Sequence, residues 1–158
     1  MKHLSWILKD QLATRPGPRV APWDLQALKE KAGITAVFSM SDEGAAPSVS
    51  YAGLRHHTNY ISDQPLYNTK EQLALIEQIG PSVEALHLEI SRGGRAFVHC
   101  YIGRDRSGFL AAAYLIKHCD HTAKEALKKM RALKEYCVCP GYEEALQMYE
   151  LSLAAETL

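Results

Sequence analysis

Cysteine is scarce in this 158-residue chain: Cys100, Cys119, Cys137 and Cys139 are the only four. That is too few for a disulfide-dense secreted scaffold. Cys137-Val138-Cys139 leaves one residue between its thiols, unlike the two to four usual in structural zinc sites. With no second ligand pair nearby, ordinary thiols and no metal are expected. An excess of charge of one sign is also missing, because 18 Lys and Arg offset 18 Asp and Glu. This removes the bulk electrostatic case for nucleic acid or an acidic membrane as partner, so any positive field must be local. No run approaches the roughly 18 apolar residues that span a bilayer, and Met1 to Asp10 lack the apolar stretch of a secretory signal. A cytoplasmic monomer without stable membrane association is the expectation. Repeats, low-complexity tracts and linkers are absent too. Residues 1–158 are therefore expected to form one domain, long enough to bury one sizeable core.

What is present alternates between strand-like and helix-like patterns. Trp6-Ile7-Leu8 and Gln11-Leu12-Ala13 flank a Lys-Asp turn and predict a short hairpin. Pro22 suits the first turn of a helix carrying Leu25 and Leu28, with Gly33 as its C-terminal cap. Ile34 to Met40 is β-branched and apolar, a buried strand. A Gly/Ala/Pro/Ser loop follows, then a second strand over Leu54 to Tyr60, with Asp63 in the loop beyond. Asn68 or Thr69 caps a helix that Gly80-Pro81 should kink or split. Ala96-Phe97-Val98-His99 is a short apolar run read as a central strand. From about Arg106 a helix is expected, and Phe109 to Ile116 is apolar nearly all round, which predicts that it is buried. Thr122 with Glu125 makes a capping box for an amphipathic helix, and Pro140-Gly141 precedes a last one. Strands separated by helices predict an α/β fold, a central mostly parallel sheet flanked by helices.

The chemistry concentrates in His99-Cys100-Tyr101-Ile102-Gly103-Arg104-Asp105-Arg106-Ser107-Gly108, where a buried strand hands over to a buried helix. A loop in that position can wrap its backbone N–H groups around an anion, and the helix N-terminus adds positive potential. Gly103 supplies the freedom for a tight turn. The same field favours a thiolate, since helix N-termini and nearby cations lower cysteine pKa values from about 8.5 to roughly 3.5–7.5. Cys100 is thus the candidate nucleophile. Arg106 can offer a guanidinium fork to two phosphate oxygens, and Ser107 can donate its hydroxyl to the sulfur when it leaves again. His99 is expected to hydrogen-bond the loop backbone rather than transfer protons. Tyr101 either lines the pocket or packs beside the loop.

This segment resembles the signature of the cysteine-dependent protein tyrosine and dual-specificity phosphatases: His-Cys, five residues, Arg, then Ser or Thr. His99, Cys100, Gly103, Arg106 and Ser107 meet it. Small atypical dual-specificity phosphatases are also similar in size, in an early Gly-Ile-Thr-Ala-Val strand and in the order strand, acid loop, helix, strand, catalytic loop, helices. The resemblance covers residues 4 to 155, as pattern rather than residue identity outside the signature. It implies hydrolysis of phosphate monoesters (phosphotyrosine, with phosphoserine and phosphothreonine where the pocket is shallow) through a phosphocysteine intermediate, with no cofactor. Tyr101, Ile102, Gly103, Arg104, Asp105 and Arg106 would line the phosphate site, and a phosphorylated protein or small phosphate ester would be the partner.

The resemblance also implies a general acid. Asp63 matches the loop aspartate of these enzymes, although it lies 37 residues before Cys100. Asp105 competes, because bacterial lipid-and-protein phosphatases and myotubularin-like enzymes carry aspartate just before the arginine. Asp42 is a weaker candidate, better suited to shaping a turn. Arg104 could recruit further phosphates, which raises a phosphoinositide or inositol phosphate substrate. Arg55, His56 and His57 either rim the pocket or form a solvated strand edge, and Lys128, Lys129 and Arg131 read as a solvated helix face. Two further readings remain: an arsenate-reductase-like or sulfur-transfer enzyme, disfavoured by the acid loop, and a phosphate-binding pseudophosphatase, disfavoured because Cys100 and Arg106 are both present.

Overall fold

A computed structural model describes residues 1–156. Ser5–Leu8 (β1) and Leu12–Arg15 (β2) form the expected antiparallel hairpin, with Asp10 in the left-handed region at its turn. Leu25–Ala32 (α1) starts later than Pro22 because Asp24 caps it, its carboxylate accepting from the Ala27 amide at 3.0 Å. Gly33 closes the helix in the left-handed conformation, as expected. Ala36–Ser39 (β3) is followed by a correction to the expected loop, which contains a short helix, Ala46–Tyr51 (α2). It buries only Val49, so six residues leave no periodic signal.

Arg55–Thr58 (β4) leads through the Asp63 loop into Thr69–Ser91 (α3), capped by Asn68. Pro81 neither splits nor ends this helix. It faces solvent, as does Glu77, so the carbonyl robbed of its partner by the missing N–H is open to water. Ala96–His99 (β5), Arg106–His118 (α4), Ala123–Arg131 (α5) and Tyr142–Glu156 (α6) complete the chain. The capping box of α5 is made in both directions between Thr122 and Glu125.

The sheet order is β1-β2-β5-β3-β4, antiparallel only in the first pair. Strand alternation sends Ala96, Val98, Ala36 and Phe38 into a core shared with α3, α4, α5 and α6. The alternate residues Phe97 and Val37 face a smaller core with Leu28 of α1 and Val49 of α2. Every residue of α4 from Arg106 to Ile116 is buried, because the helix lies between the sheet and three other helices. Each large apolar side chain so enclosed stabilises the fold by about 1.5–3 kcal/mol. The parallel register has a second consequence. The C-terminal ends of β2, β3, β4 and β5 reach the same edge of the sheet, so the loops after them converge there.

Candidate active site

The loop from Cys100 to Asp105 occupies that edge, between central strand β5 and buried helix α4. Gly103 sits at φ 85°, and a Cβ there would stand 2.8 Å from the Arg15 carbonyl oxygen. No other residue could make this turn against β2 without displacing it. Gly17 N donates to Tyr101 O at 2.9 Å, and Cys137 N donates to Arg104 O at 3.3 Å. The loop is thereby held from both sides.

Asp105 occupies the N-cap position of α4, yet its side chain does not cap the helix. It turns outward instead, where Oδ1 accepts from the amides of Val138 (2.8 Å) and Cys139 (3.1 Å). The first turn of α4 is left without a side-chain cap, a ready anion-binding terminus. Cys100 is buried, its Sγ 3.4 Å from the Ser107 hydroxyl. The Arg106 side chain is only 9% exposed, and its Nη1 donates to Ile61 O at 3.3 Å. Its Nη2 lies 3.8 Å from Asp63 Oδ2, a carboxylate left 78% exposed. Asp63 rides on a span tied down at both ends, by Ile61 N to Met40 O (3.0 Å) and Leu66 N to Pro140 O (2.9 Å).

A cavity of about 40 Å³ brings these groups together, lined by Asp63, Cys100, Tyr101, Ile102, Arg104, Asp105 and Arg106. All the residues expected at the phosphate site line it except Gly103, which turns into the protein, and Ser107, which stands beneath the sulfur. The volume suits a phosphate group but leaves any larger ring outside.

His99 is fully buried on the opposite face of β5, Nδ1 at 3.2 Å from the Cys100 carbonyl oxygen and Nε2 at 2.5 Å from Ser39 Oγ. Burial is the main force depressing its imidazolium, to a pKa of about 4. It is therefore neutral at pH 7 and structural, as its expected role required.

The basic residues for which the sequence left a role at the pocket open stand away from it, on edge strand β4. Arg55 and His57 face α3, where they bond Glu89 and Ser82, and His56 bonds Ser39, so none rims the cavity. Arg131, on the expected solvated helix face, does more than meet water. It holds the segment before α6, donating to Tyr136 O and Cys137 O at 3.0 Å each and pairing with Glu143. Asp42 makes the expected turn, accepting from the Gly44 amide at 3.1 Å. Lys134 went unnoticed in the sequence. Its ammonium lies 5.2 Å from the centroid of the Tyr136 ring, and burial lowers its pKa while the Cys100 charge pulls the other way. Nothing local in the chain marks it, because the contact depends on how the segment after α5 folds back.

The sequence pattern of the dual specificity phosphatase catalytic domain matches residues 21–152. The chain is similar to dual specificity phosphatase 28 of Mus musculus, 26% identical over 129 residues, covering 81% of this chain and 74% of that protein. It is also similar to phosphatidylglycerophosphate phosphatase PTPMT1 of Arabidopsis thaliana, 29% identical over 117 residues, though these cover 72% of this chain and only 33% of that one. Its fold matches the crystal structure of PTPMT1 in complex with PI(5)P at a TM-score of 0.80 and 17% identity, over 99% of this chain and 100% of the other. With its pattern matched over most of the sequence, the chain belongs to the dual specificity phosphatase catalytic-domain family, a cysteine-dependent phosphatase.

Proposed function

We propose that Cys100, Arg106, Asp63 and Ser107 carry a two-step hydrolysis of phosphate monoesters. In the first step Cys100 thiolate attacks phosphorus in line, the ester P–O bond breaks, and Asp63 gives its proton to the leaving oxygen. In the second, water attacks the phosphocysteine, Asp63 accepts the water proton, and the P–S bond returns its electrons to sulfur, where the Ser107 hydroxyl meets them. Arg106 and the uncapped amides of α4 stabilise the equatorial oxygens in both steps. The observation that carries this reading is the shared cavity: sulfur, guanidinium and a loop carboxylate line one phosphate-sized space. No step calls for a metal or organic cofactor. The substrate we infer is a phosphotyrosine side chain, with phosphoserine and phosphothreonine also admitted, presented by a phosphorylated protein to a monomeric single domain in the cytoplasm. No helix among the described residues is long and apolar enough to cross a membrane.

Cys100→Ser tests the reading. Wild type should release phosphate from an aryl phosphate and yield an acid-stable thiophosphate adduct on rapid quenching, and the variant should do neither while keeping the fold. Turnover retained by Cys100→Ser would refute it. Phosphopeptide binding without turnover by wild type would favour the pseudophosphatase instead.

A second reading keeps the loop and changes the substrate to a phosphoinositide or inositol phosphate. Arg104 favours it, since this cation lines the cavity and its Nε is buried without a hydrogen-bond partner. The similar PTPMT1 proteins point the same way. Phosphate release from a phosphopeptide panel beside inositol phosphates separates the two substrates.

A further inference from the structure

We propose that Ser39 and His56 are positioning residues for the catalytic loop, forming with His99 a one-way hydrogen-bond chain from the sheet edge to the Cys100 carbonyl. The proposal rests on the reading of Cys100 as nucleophile.

Three contacts on one face of the sheet make up the chain. His56 Nε2 lies 2.7 Å from Ser39 Oγ, which lies 2.5 Å from His99 Nε2, and His99 Nδ1 is 3.2 Å from Cys100 O. The residues stand on three neighbouring parallel strands, β4, β3 and β5, with Ser39 directly opposite His99. Trp23 seals them, its ring edge-on to His99 at 4.5 Å.

The direction of every proton follows from the last acceptor. A carbonyl oxygen can only accept, so His99 Nδ1 must carry hydrogen. Neutral imidazole has one N–H, which leaves Nε2 bare and obliges the Ser39 hydroxyl to donate to it. That hydroxyl has no second hydrogen, so toward His56 it accepts, and His56 Nε2 carries the proton. Burial comes first in keeping His99 neutral, and the guanidiniums of Arg15 (its partner across β2 and β5) and Arg106 also oppose a second proton, as would a charge on His56, whose own pKa burial lowers.

Function enters through the peptide plane. In a trans peptide the carbonyl of Cys100 and the N–H of Tyr101 point to opposite sides. No cis peptide bond occurs among the described residues. Pinning the carbonyl against His99 therefore turns the next amide to the other side of the loop, and fixes the plane on which the nucleophile hangs. A flipped His99 tautomer would set a bare nitrogen against the carbonyl and release that plane. His57, one position on, shows the contrast. It faces the opposite side and bonds Ser82 of α3.

Nitrogen-15 NMR of the histidine rings in the full chain at neutral pH provides the direct test. The expected result is Nδ1–H for His99 and Nε2–H for His56, with Ser39→Ala weakening the preference at His99, where the carbonyl still accepts, and abolishing it at His56. In kinetics on an aryl phosphate, Ser39→Ala and His56→Leu should lower kcat about tenfold, the scale of one lost hydrogen bond, with KM nearly constant. His56→Gln, whose amide N–H can still donate, should restore kcat to within about twofold, and His57→Leu should leave it unchanged. His56 is half-buried, so its variants remain informative should Ser39→Ala fold poorly. An Nε2–H tautomer at His99 in wild type would overturn the proposal. So would Ser39→Ala and His56→Leu enzymes that lose thermal stability at undiminished kcat. The ring tautomers are read without turnover, so an active Cys100→Ser would sink the nucleophile reading through a different measurement.

Discussion

Replacing Asp63 or Asp105 by asparagine separates two carboxylates that line the same cavity but hold different partners. Asp63 is 78% exposed and meets Arg106 only at 3.8 Å, a contact worth less than about 1 kcal/mol. Asp63→Asn should therefore leave Tm within a degree or two while removing the proton donor. Loss of a positioned general acid costs about 10² to 10⁴ in rate. The cost should appear in full with phenyl phosphate, whose leaving group needs the proton, and shrink with p-nitrophenyl phosphate. Asp105 holds the amides of Val138 and Cys139 on one oxygen. An asparagine carbonyl can keep both bonds but loses their charge assistance, about 1 kcal/mol each at most given that Val138 is half exposed. The expected result is a Tm lower by roughly 3–8 °C and a uniform, modest change in kcat. Asparagine is the discriminating choice, because Asp105→Ala would free the 138–140 segment on which Leu66 and the acid loop are anchored. Plotting log kcat/KM against leaving-group pKa for the three enzymes decides the matter. If Asp105→Asn steepens that dependence and Asp63→Asn does not, the assignment of the acid is wrong.

Other expectations are simpler. Gly103→Ala should fold but bind tungstate weakly by calorimetry, because the left-handed backbone costs an alanine about 1–2 kcal/mol and its methyl would strike the Arg15 carbonyl; undiminished tungstate affinity would contradict the loop geometry. His99 titrates near 4 in the fold against about 6.5 when unfolded, so the unfolded chain binds the extra proton between those values. Its contribution is complete above pH 6.5 and falls with acidity by about 1.4 kcal/mol per pH unit, and urea midpoints of wild type and His99→Gln should converge as pH drops from 6.5 to 4. Glu89 accepts from Arg55 at 2.7 and 2.5 Å and from Thr35 at 2.7 Å, with a side chain only 5% exposed. Glu89→Ala should destabilise the fold by about 1–3 kcal/mol, less than a fully buried pair would because Arg55 reaches water, with kcat at saturating substrate unaltered; equal chemical denaturation midpoints would show the pair to be idle.

The half of the candidate site proposed to hold phosphate was legible in the sequence because its residues are adjacent in the chain. Ten consecutive residues from His99 to Gly108 carry the proposed nucleophile, the turn, the fork and the hydroxyl across one strand-to-helix junction, although Gly17 and Cys137 brace the loop from distant chain. Apolar periodicity likewise announced the buried helix and the central strand. The remaining half belongs to tertiary structure. Asp63 meets Arg106 from 43 positions away only because parallel strands end at one edge of the sheet. Asp105, next to the arginine in sequence, is drawn aside by amides 33 and 34 positions further on. Ser39 carried no signal and His56 only that of a basic strand residue, since side chains on separate strands become neighbours only when register puts them on one face. Adjacency along the chain determined which residues can hold a phosphate. The pairing of strands decided which carboxylate meets Arg106 and which histidine nitrogen meets the carbonyl of Cys100.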